Sequence, residues 1–211
     1  MAANTNECTA AGGSDESLAI CAATPEGAAA LRLLLTRYSV SAKHLGEPGP
    51  SEDEIWQVAM AALRAPDHNK LVPFRFVVAR GAGLDRLADL FEDYGRRKGK
   101  AAEELAMERT RAKQAPVVIG VVARIRTGDP DVPPEEQWAC IGGAIGNALN
   151  ALHFMGYAGK MLSGARAADP AIVAAHCAEG ETLVGWIAAG TPRGPARPRG
   201  ERDPGGILSR F

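Results

Sequence analysis

The sequence predicts an α+β fold on three observations. Segments with a helical apolar period outnumber extended runs, and the two kinds do not alternate as a doubly wound parallel sheet requires. One run, Val117 to Ala123, is apolar and β-branched almost throughout, which marks a strand covered on both faces in the middle of a sheet.

Each element follows from local chemistry. Thr24-Pro25 pairs a capping hydroxyl with a proline at the first helical position, and Leu31, Leu34 and Leu35 then recur on one face until about Arg37. Gly46, Pro48, Gly49 and Pro50 make a loop that leads to Ser51, which with Glu54 spells a capping box. Ile55, Val58, Ala59, Ala62 and Leu63 form the buried stripe expected of that second helix. After Pro73, the alternation Phe74, Phe76, Val78 predicts a strand with one face on the core, ended by Gly81. Two charged amphipathic helices are expected over 83–96 and 101–113, and Pro116 breaks the second.

The longest helix is expected from Pro134 to Gly156, with Trp138, Ile141, Ile145, Leu149 and Leu152 on its apolar face. Ala139, Gly142, Gly143, Gly146 and Asn150 lie beside that face. Glycine costs ~1 kcal/mol relative to alanine inside a helix, so the glycines imply that another backbone comes close. Asp169-Pro170 starts a short helix expected to end at Gly180, and Leu183 to Ala189 is the third strand. From Gly190 the chain is rich in Pro, Gly and Arg, with too few apolar residues to fold alone.

A chain of 211 residues with 46% hydrophobic side chains suits one domain, expected over 25–211. Residues 1–24 read as a disordered extension without the basic start and apolar core of a signal peptide, so a cytoplasmic protein is expected. The net charge of -1 gives no global field to recruit nucleic acid or a membrane surface. No apolar run approaches the ~18 to 20 residues of a membrane span. The four cysteines are scattered, which predicts no disulfide framework.

Several motifs are set aside. Gly142-Gly143-Ala144-Ile145-Gly146 lacks Gly-x-Gly and lies inside a helix, so it is a packing surface and not a dinucleotide loop. Ser163 lacks the Gly-x-Ser-x-Gly turn of a hydrolase, and the four histidines lack metal-ligand spacing, so no metal site is expected. His176-Cys177 reads as a helix end with a small buried thiol.

Four segments carry a resemblance. They are Arg37-Tyr38-Ser39 after the first helix, Arg64-Ala65-Pro66-Asp67-His68 followed by Pro73-Phe74, Gly156 to Gly164 after the long helix, and Gly185 to Pro192. In this order they resemble the nitroreductase family, in particular a minimal short-chain subgroup. The resemblance covers roughly 28–211 and implies a nitroreductase-like α/β sandwich: a central, mostly antiparallel sheet flanked by helices, with a long central dimerisation helix.

It also implies an FMN cofactor, NADPH or NADH as hydride donor, and an acceptor such as a nitroaromatic or quinone reduced in a ping-pong cycle. By resemblance, Arg37, Tyr38 and Ser39 contact phosphate and ring, Arg64 and His68 lie at the flavin, and Met161, Leu162 and Ser163 run along the ring. Arg197 and Arg199 resemble a basic pair that reaches the phosphate. No catalytic side chain is implied, because the acceptor can draw protons from solvent. The implied assembly is a homodimer with FMN at the subunit interface. Tyr38, Val72, Met161 and Leu162 depart from the subgroup's pattern. Two alternatives stay open: the same fold with dehydrogenase or dehalogenase chemistry, and a non-enzymatic flavin-binding protein, which the departures at Tyr38, Val72 and Met161 favour.

Overall fold

The computed structural model describes residues 20–194 and 203–211, which fall into two units. One unit holds the first helix and the C-terminal segment, and the other is Ser39–Gly194. Residues 1–19, with most of the expected extension, lie outside the described residues, as do Arg197 and Arg199.

In the first unit, helix α1 (Pro25–Thr36) is capped as expected: Thr24 Oγ1 accepts from Gly27 N at 3.1 Å. It buries none of its residues, and Leu33, Leu34 and Leu35 are exposed. Cys21 is disulfide-bonded, whereas Cys140 and Cys177 are free thiols.

The second unit runs β1 (Leu45–Gly46), α2 (Glu52–Ala62), β2 (Phe74–Ala79), α3 (Ala82–Arg97) and α4 (Ala102–Ala112), then β3 (Val117–Ala123), α5 (Pro134–Phe154), β4 (Ala158–Leu162), α6 (Pro170–His176) and β5 (Thr182–Pro192). The sheet order is β1-β5-β3-β2, with β4 also paired to β5, and every pairing is antiparallel. This is the expected α+β arrangement.

Strand β3 is buried at every position. Its odd residues Val117, Ile119 and Val121 join a cluster with Ile55 and Val58 of α2 and Ile141 and Leu152 of α5. Its even residues Val118 and Val122 join Leu87 and Phe91 of α3 and Ile172 of α6. The period of two along a strand therefore sorts two cores onto opposite faces of one sheet.

The structure corrects four expectations. Leu63 is exposed because it is the C-cap of α2, beyond the stripe that turns inward. Trp138 is 43% exposed. The inner face of α5 includes Gln137 instead, whose amide closes the preceding loop by accepting from Arg126 N at 2.8 Å and donating to the carbonyls of Arg126 and Val132, each at 2.9 Å. Helix α6 stops at His176 and not Gly180, because Glu181 reaches back to the Ala178 N–H at 2.7 Å and turns the chain. Strand β5 is longer than Leu183–Ala189, since its end pairs with β1, a strand too short to show a period.

Of the α5 glycines, Gly143 lies against the α2 end, where an added Cβ would sit 3.3 Å from Ala65 Cβ. Gly142 and Gly146 face open space. The close approach inferred from the sequence is thus met within this chain at Gly143.

Candidate functional site

Strand β4 lays Leu162 opposite Trp186, and the register of β3 on β5 shifts at Val121/Val122 beside Gly185. Gly185 has φ +147, and a Cβ there would collide with the Leu162 carbonyl oxygen. Glycine is what lets the end of β4 close onto β5. Gly164, at φ +131, then turns the chain away, leaving Ser163 exposed at the rim.

A cavity of about 250 Å³ opens there, with Ser41, Phe91, Leu162, Ser163, Arg166 and Trp186 among its walls. Arg111 and Gln114 also line it, and among the described residues no carboxylate does. Behind it, Glu108 is fully buried and bonds Arg111 Nη1 at 2.6 Å and Arg166 Nε at 2.7 Å. Lys100 Nζ completes the cluster at 2.5 Å. Burial alone would raise the Glu108 pKa; hydrogen bonds from Lys100 and Arg166, with the Arg166 and Arg111 charges, outweigh it and hold the carboxyl below its usual range.

The Trp186 wall is set by His176. Trp186 Nε1 donates to His176 Nε2 at 3.2 Å, and the other ring nitrogen donates to the Ile172 carbonyl at 2.8 Å. Both bonds together require the neutral imidazole. Burial in the first place, and Arg75 beside it, push the His176 pKa down despite the Ile172 carbonyl. His176 ends α6 as the sequence reading of His176-Cys177 expected, but the Cys177 thiol at the C-cap is half-buried and not buried.

The segment from Arg64 to Val72 builds a different surface. The Asp67 carboxylate accepts from Leu71 N at 3.2 Å and Val72 N at 2.8 Å, folding the loop back on itself. Asn69, Lys70 and Val72 take positive φ of 57, 53 and 47. For β-branched Val72 this conformation is strained, so surrounding contacts must enforce it. His68 Nδ1 meets Glu136 Oε2, in the first turn of α5, at 2.9 Å. Arg64 is exposed, and its guanidinium has no hydrogen-bond partner among the described residues.

Among the remaining expected residues, Arg37 is the C-cap of α1, its N–H bonding the Leu34 carbonyl at 3.3 Å. Arg37 and Tyr38 are half-buried and Ser39 is exposed. Met161 lies opposite Ile187 and packs on the α5 cluster, away from the cavity that Leu162 lines. The structure therefore brings Leu162 and Ser163 to one cavity, while Arg64 and His68 line no part of it. Sequence reasoning missed Ser41, Arg111, Arg166, Trp186 and Glu136. Only the Glu108/Arg111 spacing, compatible with a pair on one helix face, could have hinted at them.

A protein-family model described as the nitroreductase family matches residues 34–191. The chain belongs to the nitroreductase family. The Escherichia coli (strain K12) protein named "Putative NAD(P)H nitroreductase YdjA" is 32% identical over 165 residues, covering 78% of this chain and 88% of that one. Among solved structures, a nitroreductase-like family protein from Bacillus cereus superposes with TM-score 0.71 at 18% identity, covering 86% of this chain and 95% of that one. A structure from Desulfovibrio desulfuricans in complex with FMN superposes with TM-score 0.65 at 20% identity, covering 90% and 98%. This nitroreductase-family chain is an oxidoreductase by that membership, as the ordered motifs implied.

Proposed function

We propose that this nitroreductase is an FMN-dependent enzyme in which NADH or NADPH and an acceptor such as a nitroaromatic or quinone use one pocket in turn, in a ping-pong cycle. The family match over 34–191, joined to a curated relative named for NAD(P)H, is the observation that carries the reading. When bound, FMN would supply the redox chemistry, hydride transfer from NADH or NADPH to the acceptor by way of its N5.

The donor set fits such a group. Arg37, Arg64, Arg197 and Arg199 provide cations for a phosphate, and Ser39, His68 and Ser163 provide hydrogen bonds to a polar ring edge. Strand β4 pairs only with β5 among the described residues, so its outer backbone edge is open to a flat heteroaromatic. Tyr38 and the backbone of Met161 and Leu162 along that edge complete the assigned wall. The protein's part is to orient donor and acceptor and to exclude water, and no side chain is assigned as a general acid.

We assign the working form as a homodimer with FMN at the subunit interface, 25–211 forming a single FMN-binding domain of a cytoplasmic protein. Uncovered apolar groups support the dimer: Trp56 is 72% exposed, with Met60 and Leu63 further along the same side of α2, and Gly142 and Gly146 face open space on α5. A site shared between protomers also accounts for Arg64 and His68 standing apart from the Ser163 cavity.

The test is the visible spectrum of purified protein. Bands near ~375 and ~450 nm that bleach with NADPH under argon are expected of bound oxidised flavin. Protein that stays colourless after incubation with excess FMN refutes the proposal.

A further inference from the structure

We propose that the cavity beside Ser163 is an anion-recognising subsite that receives the carboxylate of a small aromatic acid. Its role as the acceptor's seat rests on the flavin reading; its capacity to bind does not.

The first argument is charge. Glu108 contributes one negative charge and Lys100, Arg111 and Arg166 three positive ones, all bonded to the same carboxylate. The cluster keeps an excess of two positive charges, and among the described residues the cavity wall in front of it holds no carboxylate to offset them. A buried anion that gathers three mutually repelling cations is satisfied itself and leaves the cations under-compensated. A further anion completes the set.

The second argument is geometry. Arg166 directs Nε and Nη2 at Glu108 Oε2 and lies over the rings of Phe91 and Tyr94, at 5.1 and 5.8 Å from their centroids. Locked in this way, it keeps Nη1 without a partner among the described residues. Arg111 bonds Glu108 through Nη1 alone, leaving Nη2 and Nε. Two guanidinium edges held in place are the recognition element for a carboxylate, and Ser41, Ser163 and Gln114 add neutral hydrogen-bonding groups.

The third argument is shape. Leu87, Phe91, Val118, Leu162 and Trp186 make the rest of the wall apolar, which suits a ring and disfavours a bare hydrated ion. A volume of about 250 Å³ accepts one substituted ring and is too small for a whole dinucleotide. An inorganic or nucleotide phosphate shares the anionic chemistry but would leave this apolar wall uncovered.

Calorimetric titration of the full-length protein, with and without saturating FMN, tests the assignment using benzoate, neutral benzamide and inorganic phosphate. Benzoate should bind at least ~10-fold more tightly than benzamide, the discrimination expected when charge-assisted bonds are lost. It should also bind more tightly than phosphate and remain bound when FMN is saturating. Arg111→Gln should erase the preference for benzoate over benzamide, and Arg111→Lys should retain part of it. Equal binding of benzoate and benzamide, tighter binding of phosphate, or displacement of benzoate by FMN overturns the proposal. A colourless protein that still prefers benzoate would end the flavin reading and leave the subsite standing.

Discussion

Replacing Glu108 by glutamine tests the electrostatic centre of the second unit. The carboxylate makes three charge-assisted bonds, each worth ~1.5–3 kcal/mol before desolvation is counted. Arg111 is 46% exposed, so solvent screening reduces its share to ~1 kcal/mol or less. Lys100 and Arg166 are 26% and 28% exposed and keep most of theirs. Glutamine restores one acceptor, but its amide N–H groups face cations, and three positive charges lose their only shared anion. Removing one partner of such a buried cluster costs about 3 kcal/mol. For a chain of this size that lowers Tm by ~6–12 °C. The assay is thermal unfolding followed by circular dichroism at pH 7, in low and moderate salt. A drop smaller than ~2 °C would refute the reasoning. The pH dependence gives a second check, because the folded-state carboxyl titrates below its usual range. Its stabilisation is fully present above the unfolded value of ~4.3 and is lost as pH falls through the lower folded value. The variant's Tm should therefore converge on that of the parent protein below about pH 4.

Two further outcomes are expected. His176 titrates below its ordinary value of ~6.5 in the fold, so its contribution is fully present above that pH and declines as pH falls below it; in His176→Asn the Tm change between pH 7.5 and 5.5 should shrink, and an unchanged slope would sink the neutral-imidazole assignment. Mixing protein deficient in the loop, by His68→Ala with Arg64→Ala, with protein deficient at the strand, by Ser163→Tyr, and allowing subunits to exchange should restore flavin in about a quarter of the sites. No recovery would place both sets of residues in one protomer.

What was legible in the sequence is what neighbouring residues enforce. The α2 start could be read because Ser51 and Glu54 bond each other's backbone across three residues, at 3.2 and 2.7 Å in the structure. The central strand could be read because no polar side chain interrupts Val117–Ala123 and both its faces are covered. Gln137 was illegible for the opposite reason: a polar residue on the core face is tolerated only because three backbone groups of the irregular loop before α5 satisfy its amide. Val72 offers no glycine or asparagine to announce its positive φ. Asp67 imposes it from five residues upstream. The cavity wall draws on Ser41, Arg111, Ser163 and Trp186, a separation over which no period or motif survives.

The same logic separates the residues proposed to bind from the residues that hold them. The resemblance named His68 and Ser163, yet neither is fixed by its own motif. The loop bearing His68 is shaped by Asp67 and tied to α5 by Glu136. The strand leading to Ser163 closes only because Gly185, on a neighbouring strand, has no Cβ. The proposed site, spread over separate elements, thus depends on locks that carry none of the ligand chemistry. Changes at Asp67 and Gly185 act by moving the donors, so their effect on binding should track their effect on local structure, whereas a change at His68 removes a donor and leaves the loop's own backbone bonds intact.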